Sequence, residues 1–256
     1  MQPWESFNAS PDYLKDRVIL VTGAGQGLGE TAALAFARHG ATVILLGRNE
    51  KKLARVYDAI EAAGGPQPAA IPVDLAAMTD QDCVNLANLI WKEFDRLDAI
   101  FHCANGFTFL SPLINQKLEE WVEMFRANVA APFALTRALL PMLKRAGDSS
   151  VVFVGESHGL QPKAFWGGYA VSRAGQAALA RIAADEWERE LRVNLLVPGP
   201  MRGPFRLKTH PAEDLESLPP LQAFEPALLW AIGPASRGHN GETWFWGDQE
   251  TAHAQG

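Results

Sequence analysis

Cysteine is nearly absent: Cys83 and Cys103 are the only two in 256 residues. A secreted disulfide framework carries more, so the expected compartment is a reducing one, the cytoplasm. Residues 1–17 include Glu5, Asp12 and Asp16 and contain no apolar core, so they are not expected to act as a secretory signal. No uninterrupted apolar run approaches the ~20 residues that span a bilayer, and no membrane partner is expected. Basic residues are in deficit, 23 against 29 acidic ones, for a net charge of −6. A net anion has little attraction for phosphate surfaces, which argues against nucleic acid as a partner. The chain does not lack apolar residues. Hydrophobic side chains make up 48% of it and charged ones 20%, a balance that excludes intrinsic disorder.

The pattern along the chain alternates between two periods. Arg17–Val21 is a short β-branched run that reads as a strand buried on both faces. Leu28, Ala32, Ala35, Phe36 and His39 then recur at helical spacing up to Gly40. Thr42–Leu46 is a second strand. Asn49 caps a helix with Leu53, Val56, Tyr57 and Ile60 on one face, stopped by Gly64-Gly65-Pro66. Ala69–Val73 is a third strand, after which Thr79 and Asp82 form a variant capping box for a helix with Val84, Leu86, Leu89, Ile90 and Phe94. Leu97–His102, Ser150–Val154, Arg192–Val197 and Thr243–Trp246 continue the series of strands.

Between them the spacing predicts a long helix over 118–143, kinked or ended by Pro132 and Pro141, and a helical stretch over 168–191. Pro226 opens a last helix that ends at Gly233. Strand–helix alternation with right-handed crossovers gives an α/β fold: one domain over 1–256, a doubly wound parallel sheet of about seven strands with helices on both faces. Residues 200–225 have no clear period and are expected to form a lid over the substrate, and the tail over 247–256 is polar and expected to fray.

Ligands of such sheets lie outside the carboxyl ends of the strands, so the residues that follow each strand carry the chemistry. After the first strand stands Thr22-Gly23-Ala24-Gly25-Gln26-Gly27-Leu28-Gly29. Glycines there let the backbone approach a pyrophosphate that the helix N-terminus stabilises. With Thr22, Gly23, Gly27 and Gly29 in the Thr-Gly-x-x-x-Gly-x-Gly pattern, the chain resembles the short-chain dehydrogenase/reductase family from about Leu14 to Trp246. Within it, Arg17–Gly23 and Val43–Asn49 look most like the bacterial YciK-type branch.

The resemblance implies a Rossmann fold, a nicotinamide coenzyme and a small-molecule carbonyl or alcohol substrate. It also implies a homo-dimer or homo-tetramer, and no metal. It assigns the coenzyme to Gly23, Gly25, Gln26, Gly27, Leu28 and Gly29 in the loop and to Asp74 and Leu75 beside the adenine. Ala104 and Asn105 after the fourth strand, and Pro198 and Gly199 after the sixth, complete that set. An acid after the second strand would accept from a ribose hydroxyl and repel a 2′-phosphate; Gly47-Arg48 stands there instead. Unless it pairs with Glu50 or Asp74, Arg48 favours NADP(H).

At the reaction end the resemblance makes Tyr169 the acid or base and Asn128 the holder of a relay water. The rest departs from the family. The lysine is replaced by Arg173 and the serine by Glu156, with Ser157 beside it. The Asn-Ala-Gly motif reads Cys103-Ala104-Asn105, and Gly203 replaces a threonine. Arg173 keeps a charge but does not release a proton near neutral pH. Glu156 has three readings: ionised and opposing a tyrosinate, protonated by burial and donating to a carbonyl, or paired with Arg173. Ser157 replaces the lost hydroxyl only if the strand end is bulged. His158 reads as a solvated loop residue ahead of a replacement acid or base, and Cys103 as an inert buried thiol ahead of a nucleophile. Three functions are compatible with this pattern: an NADP(H)-dependent oxidoreductase with altered catalytic residues, a non-catalytic nucleotide-binding sensor or interaction protein, and a lyase or epimerase that uses Tyr169 or Glu156.

Overall fold

The computed structural model describes residues 2–247. Seven strands form one parallel sheet: β1 (Val18–Thr22), β2 (Thr42–Gly47), β3 (Ala69–Pro72), β4 (Ala99–His102), β5 (Ser149–Val154), β6 (Leu191–Pro198) and β7 (Thr243–Trp246). Their spatial order is β3-β2-β1-β4-β5-β6-β7. The helices are α1 (Gly27–Arg38), α2 (Glu50–Ala62), α3 (Asp80–Phe94), α4 (Leu118–Phe125) and α5 (Ala131–Ala146). Then follow α6 (Ser157–Leu160), α7 (Gly167–Glu186), α8 (Pro204–Thr209) and α9 (Glu225–Ile232).

Alternation along the strands explains why both faces are covered. Ile19, Val21, Val43 and Leu45 pack in one core with α1, α2 and α9. Val18, Leu20, Ile44 and Leu46 point the other way, into a core with α3, α5 and α7. All five residues of β1 are buried, as a central strand between two helix layers requires. Strand order reverses between β1 and β4, where crossovers leave to opposite sides, and there the carboxyl edge opens into a cleft.

Two helix caps form as the sequence predicts. Asn49 accepts from the Lys52 amide at 3.0 Å, and Thr79 and Asp82 cap each other reciprocally. Four expectations are corrected. The helix over 118–143 is interrupted before either proline, by a wide π turn at Arg126–Ala130. Pro132 sits in the first turn of α5, where its missing N–H costs nothing, and the helix runs past Pro141 to Ala146. The helix before β6 stops at Glu186, and β6 begins at Leu191. Val84 and Leu89 face outward, and Cys83 joins Leu86 and Ile90 on the buried stripe of α3. Residues 200–225 are not irregular throughout: they hold α8 and single turns at Leu215–Ser217 and Leu221–Phe224. Beyond Gly247 the expected polar tail lies outside the described residues.

At the amino ends of the strands, away from the cleft, Asp148 binds Arg17, Arg192 and Arg237. Burial opposes ionisation of Asp148, but hydrogen bonds from the three guanidiniums outweigh it and hold the carboxyl well below its ordinary range. A carboxyl with a depressed pKa stabilises the fold above its unfolded pKa of ~4, and that contribution is lost as pH falls through the folded value. Asp148→Asn is therefore expected to melt below the wild type at pH 7. The gap between the two melting temperatures, followed by circular dichroism, should narrow as pH drops below about 4.

Candidate active site

The coenzyme half of the cleft is set by backbone geometry. Gly23 has φ +70°, and a Cβ there would lie 2.9 Å from the Ala104 Cα. A Cβ on Gly29 would lie 2.3 Å from the Gly23 carbonyl oxygen, so the loop folds on itself with no room for a side chain. Thr22 Oγ1 accepts from the amides of Cys103 and Ala104, each at 3.1 Å, and locks the loops after β1 and β4 together. Gln26 precedes α1 and caps none of its amides, so the helix begins with unsatisfied donors at the cleft. The Gln26 side chain accepts instead from Lys52.

Arg48 is exposed at the end of β2 and lines the same cleft. Among the described residues it forms no ion pair, neither with Glu50 nor with Asp74; Asp74 accepts from the Ala76 amide at 3.1 Å. Leu75, Ala104, Asn105, Pro198 and Gly199 line the cleft as well, which encloses about 950 Å³. Pro204 of α8 reaches over the loop, its Cδ 3.5 Å from where a Gly27 Cβ would stand.

The reaction half begins with Tyr169 in the first turn of α7. Its ring is buried among Phe107, Phe205 and Trp166, with centroid separations of 5.2, 5.5 and 5.8 Å. Arg173 follows one turn on, its Cζ 5.3 Å from the centre of the Tyr169 ring. The guanidinium donates to Val154 O at 3.1 Å, Gln176 Oε1 at 2.8 Å, Asn105 Oδ1 at 2.8 Å and Ala104 O at 3.4 Å. Its buried Nε has no partner among the described residues. Burial pushes the Tyr169 hydroxyl well above the usual phenol range, and the charge of Arg173 recovers only part of the shift. Burial also raises the Cys103 thiol to about 12, which leaves it protonated and unreactive.

Glu156 corrects two expectations. It makes no bond to Arg173, whose Nη atoms are taken by Asn105, Gln176 and main-chain carbonyls. Its Oε1 accepts from Ser157 Oγ at 2.9 Å and pairs with His158 Nδ1 at 3.3 Å. Burial alone would raise its pKa, but His158, Ser157 and the Arg173 charge together bring it below the ordinary value, so the carboxyl is ionised rather than protonated. Ser157 heads α6 and spends its hydroxyl on that carboxylate. His158 is not solvated in a polar loop: its ring stacks on Trp166 at 3.8 Å, inside the cleft.

Asn128 does not line the cleft. Fully buried in the π turn, it accepts from the Gly106 amide at 2.7 Å and donates to Gly106 O and Ser172 Oγ. Its amide is occupied by protein and ties the loop after β4 to α7. The other site residues named from the sequence converge on the cleft. Sequence reasoning missed Ser172, Gln176, Phe107 and Phe205; for Ser172 and Gln176 the available signal was their helical spacing from Tyr169 and Arg173.

Among the described residues, the cleft is left with uncapped first amides at α1 and with Arg48 outside any ion pair, two features that suit a phosphate-bearing ligand. A sequence profile of short chain dehydrogenases matches residues 17–214. The chain belongs to the short-chain dehydrogenase family. It is 40% identical over 237 residues, 93% of its length and 94% of the relative's, to the uncharacterized oxidoreductase YciK of Escherichia coli strain K12. A short chain dehydrogenase from Shigella flexneri 2a strain 301, complexed with NADP, superposes with a TM-score of 0.90 at 40% identity, covering 92% of this chain and 99% of that one. A counterpart from Escherichia coli CFT073, complexed with NADPH, gives a TM-score of 0.90 at 41% identity over 92% of this chain and 98% of that one.

Proposed function

We propose that this short-chain dehydrogenase is an NADP(H)-dependent oxidoreductase that interconverts an alcohol and a carbonyl. The observation that carries the reading is one continuous cleft, lined from Arg48 and the uncapped start of α1 to Tyr169 and Arg173. Two family relatives that bind NADP or NADPH support the choice of coenzyme.

When bound, the nicotinamide supplies or accepts the hydride. The protein's own residues handle the proton. Tyr169 is held protonated at neutral pH, ready to donate to a carbonyl oxygen as hydride arrives at the carbon. Arg173 stabilises the tyrosinate that results, and because it keeps its own proton, the proton returns to Tyr169 from cleft water. Glu156, ionised nearby, opposes the tyrosinate and so favours the protonated phenol between turnovers. Residues 200–225 close over the substrate half as a lid. In this reading the protein is cytoplasmic and self-associates through the exposed Val122, Phe125, Phe133, Val171 and Ile182 of α4, α5 and α7.

Calorimetry with NADPH and NADH tests the coenzyme assignment. Arg48→Glu removes a charge-assisted contact to the 2′-phosphate and adds a like charge, so NADPH affinity is expected to fall about 100-fold while NADH affinity holds. An unchanged NADPH affinity would remove the assignment. Consumption of NADPH over a panel of aldehydes, ketones and quinones tests turnover; binding without consumption across the panel counts against it.

A further inference from the structure

Both groups that address Glu156 meet the same oxygen. Ser157 Oγ and His158 Nδ1 lie 2.9 and 3.3 Å from Oε1, and Oε2 has no partner among the described residues. The side chain is 18% exposed and opens into the cleft that Tyr169 lines. Its position is fixed. Helix α6 presses on α7 so closely that a Cβ on Gly159 would stand 2.6 Å from the Arg173 Cβ. The His158–Trp166 stack holds the other side of the turn, and Trp166 packs in turn on Tyr169.

We propose that Glu156 selects the substrate: its open Oε2 accepts a hydrogen bond from a hydroxyl next to the reacting carbon, so the site takes cyclic compounds with two adjacent oxygens, a diol in one direction and a hydroxyketone in the other. The proposal rests on the oxidoreductase reading and narrows it.

An ionised carboxylate only accepts, and so does a carbonyl oxygen. A plain ketone seated here would strip water from Oε2 and give nothing back, at the cost of a buried unpaired charge. A neighbouring hydroxyl supplies the missing donor. A substrate carboxylate would be repelled by Glu156. An ammonium group would meet Lys163 and Lys208 as well as Glu120 and Glu123 on the cleft wall, so charge gives it no net preference there. The neutral hydroxyl remains. Phe107, Phe205 and Trp166 present flat apolar faces around Tyr169, which suit the carbon skeleton of a ring.

The test compares a cyclohexane diol having adjacent hydroxyls with cyclohexanol, using wild-type protein, Glu156→Gln and Glu156→Ser, all saturated with NADP+. Two readouts are taken, kcat/KM for oxidation and calorimetric affinity for each alcohol. Wild-type protein is expected to favour the diol by about 100-fold in both, as a charge-assisted hydrogen bond to a substrate hydroxyl implies. The ratio should fall to within about threefold of unity in Glu156→Ser and to an intermediate value in the isosteric Glu156→Gln. Equal handling of the two alcohols by the wild type overturns the proposal, as does a diol preference that survives in Glu156→Ser, or binding of neither alcohol. Calorimetric discrimination without turnover of either strikes the oxidoreductase reading alone and leaves the selectivity standing.

Discussion

Replacing Tyr169 with phenylalanine removes one oxygen atom and is expected to lower kcat for carbonyl reduction by about 10²–10⁴-fold, the usual contribution of a positioned general acid. The ring itself stays packed against Phe107, Phe205 and Trp166, so the fold and NADPH affinity should survive. Single-turnover rates of NADPH oxidation, beside NADPH titrations of both proteins, separate the two effects. A loss smaller than about tenfold would mean that the proton comes from water or from another side chain. The raised phenol pKa adds a directional signature. Reduction needs the acid form, which persists through neutral pH, so its rate should stay flat as pH rises. Oxidation needs the phenolate, so its rate should climb about tenfold per pH unit over the same interval.

The second large effect is on stability. Arg173 is 4% exposed and spends its guanidinium on four acceptors from three segments: β5, the loop after β4 and α7 itself. Arg173→Met keeps the bulk and strands those acceptors, for an expected loss of about 3–5 kcal/mol in urea unfolding. Arg173→Lys restores the charge but not the planar fork, and should fall between the two. A loss within about 0.5 kcal/mol for the methionine variant would show that Asn105 and Gln176 find other partners. In the proposed mechanism Arg173 thus couples chemistry to architecture: the residue placed to stabilise a tyrosinate also holds the loop after β4.

The strands were legible because burial on both faces leaves continuous β-branched runs, as in Val18–Thr22. The coenzyme half was legible for a related reason. Backbone crowding at Gly23 and Gly29 admits only glycine, so the requirement is written one residue at a time. The substrate half carries no such local signature. Phe107, Trp166, Tyr169 and Phe205 come from two separate loops and two helices, and only the fold brings them to one wall. Glu156 shows the limit most directly. Its departure from the family alongside Arg173 made a compensating pair one of three readings, but short-range donors at Ser157 and His158 captured the carboxylate. The π turn at Asn128 is equally invisible, since it serves bonds to Gly106 and Ser172, 22 and 44 residues away. Helix α8 escaped because a single short helix opened by Pro204 shows no period; its Arg206–Glu213 pair is made only once the loop has folded.

The tight glycine turn has a kinetic corollary. With the Gly23 carbonyl oxygen 2.3 Å from where a Gly29 Cβ would stand, that turn is packed against itself and leaves no room for a side chain. Pro204, its Cδ 3.5 Å from where a Gly27 Cβ would stand, is the neighbour on the open side of that turn. If residues 200–225 act as the proposed lid, the pace of nucleotide release lies in a segment some 180 residues downstream of the glycine turn, open to tuning without touching a single phosphate contact.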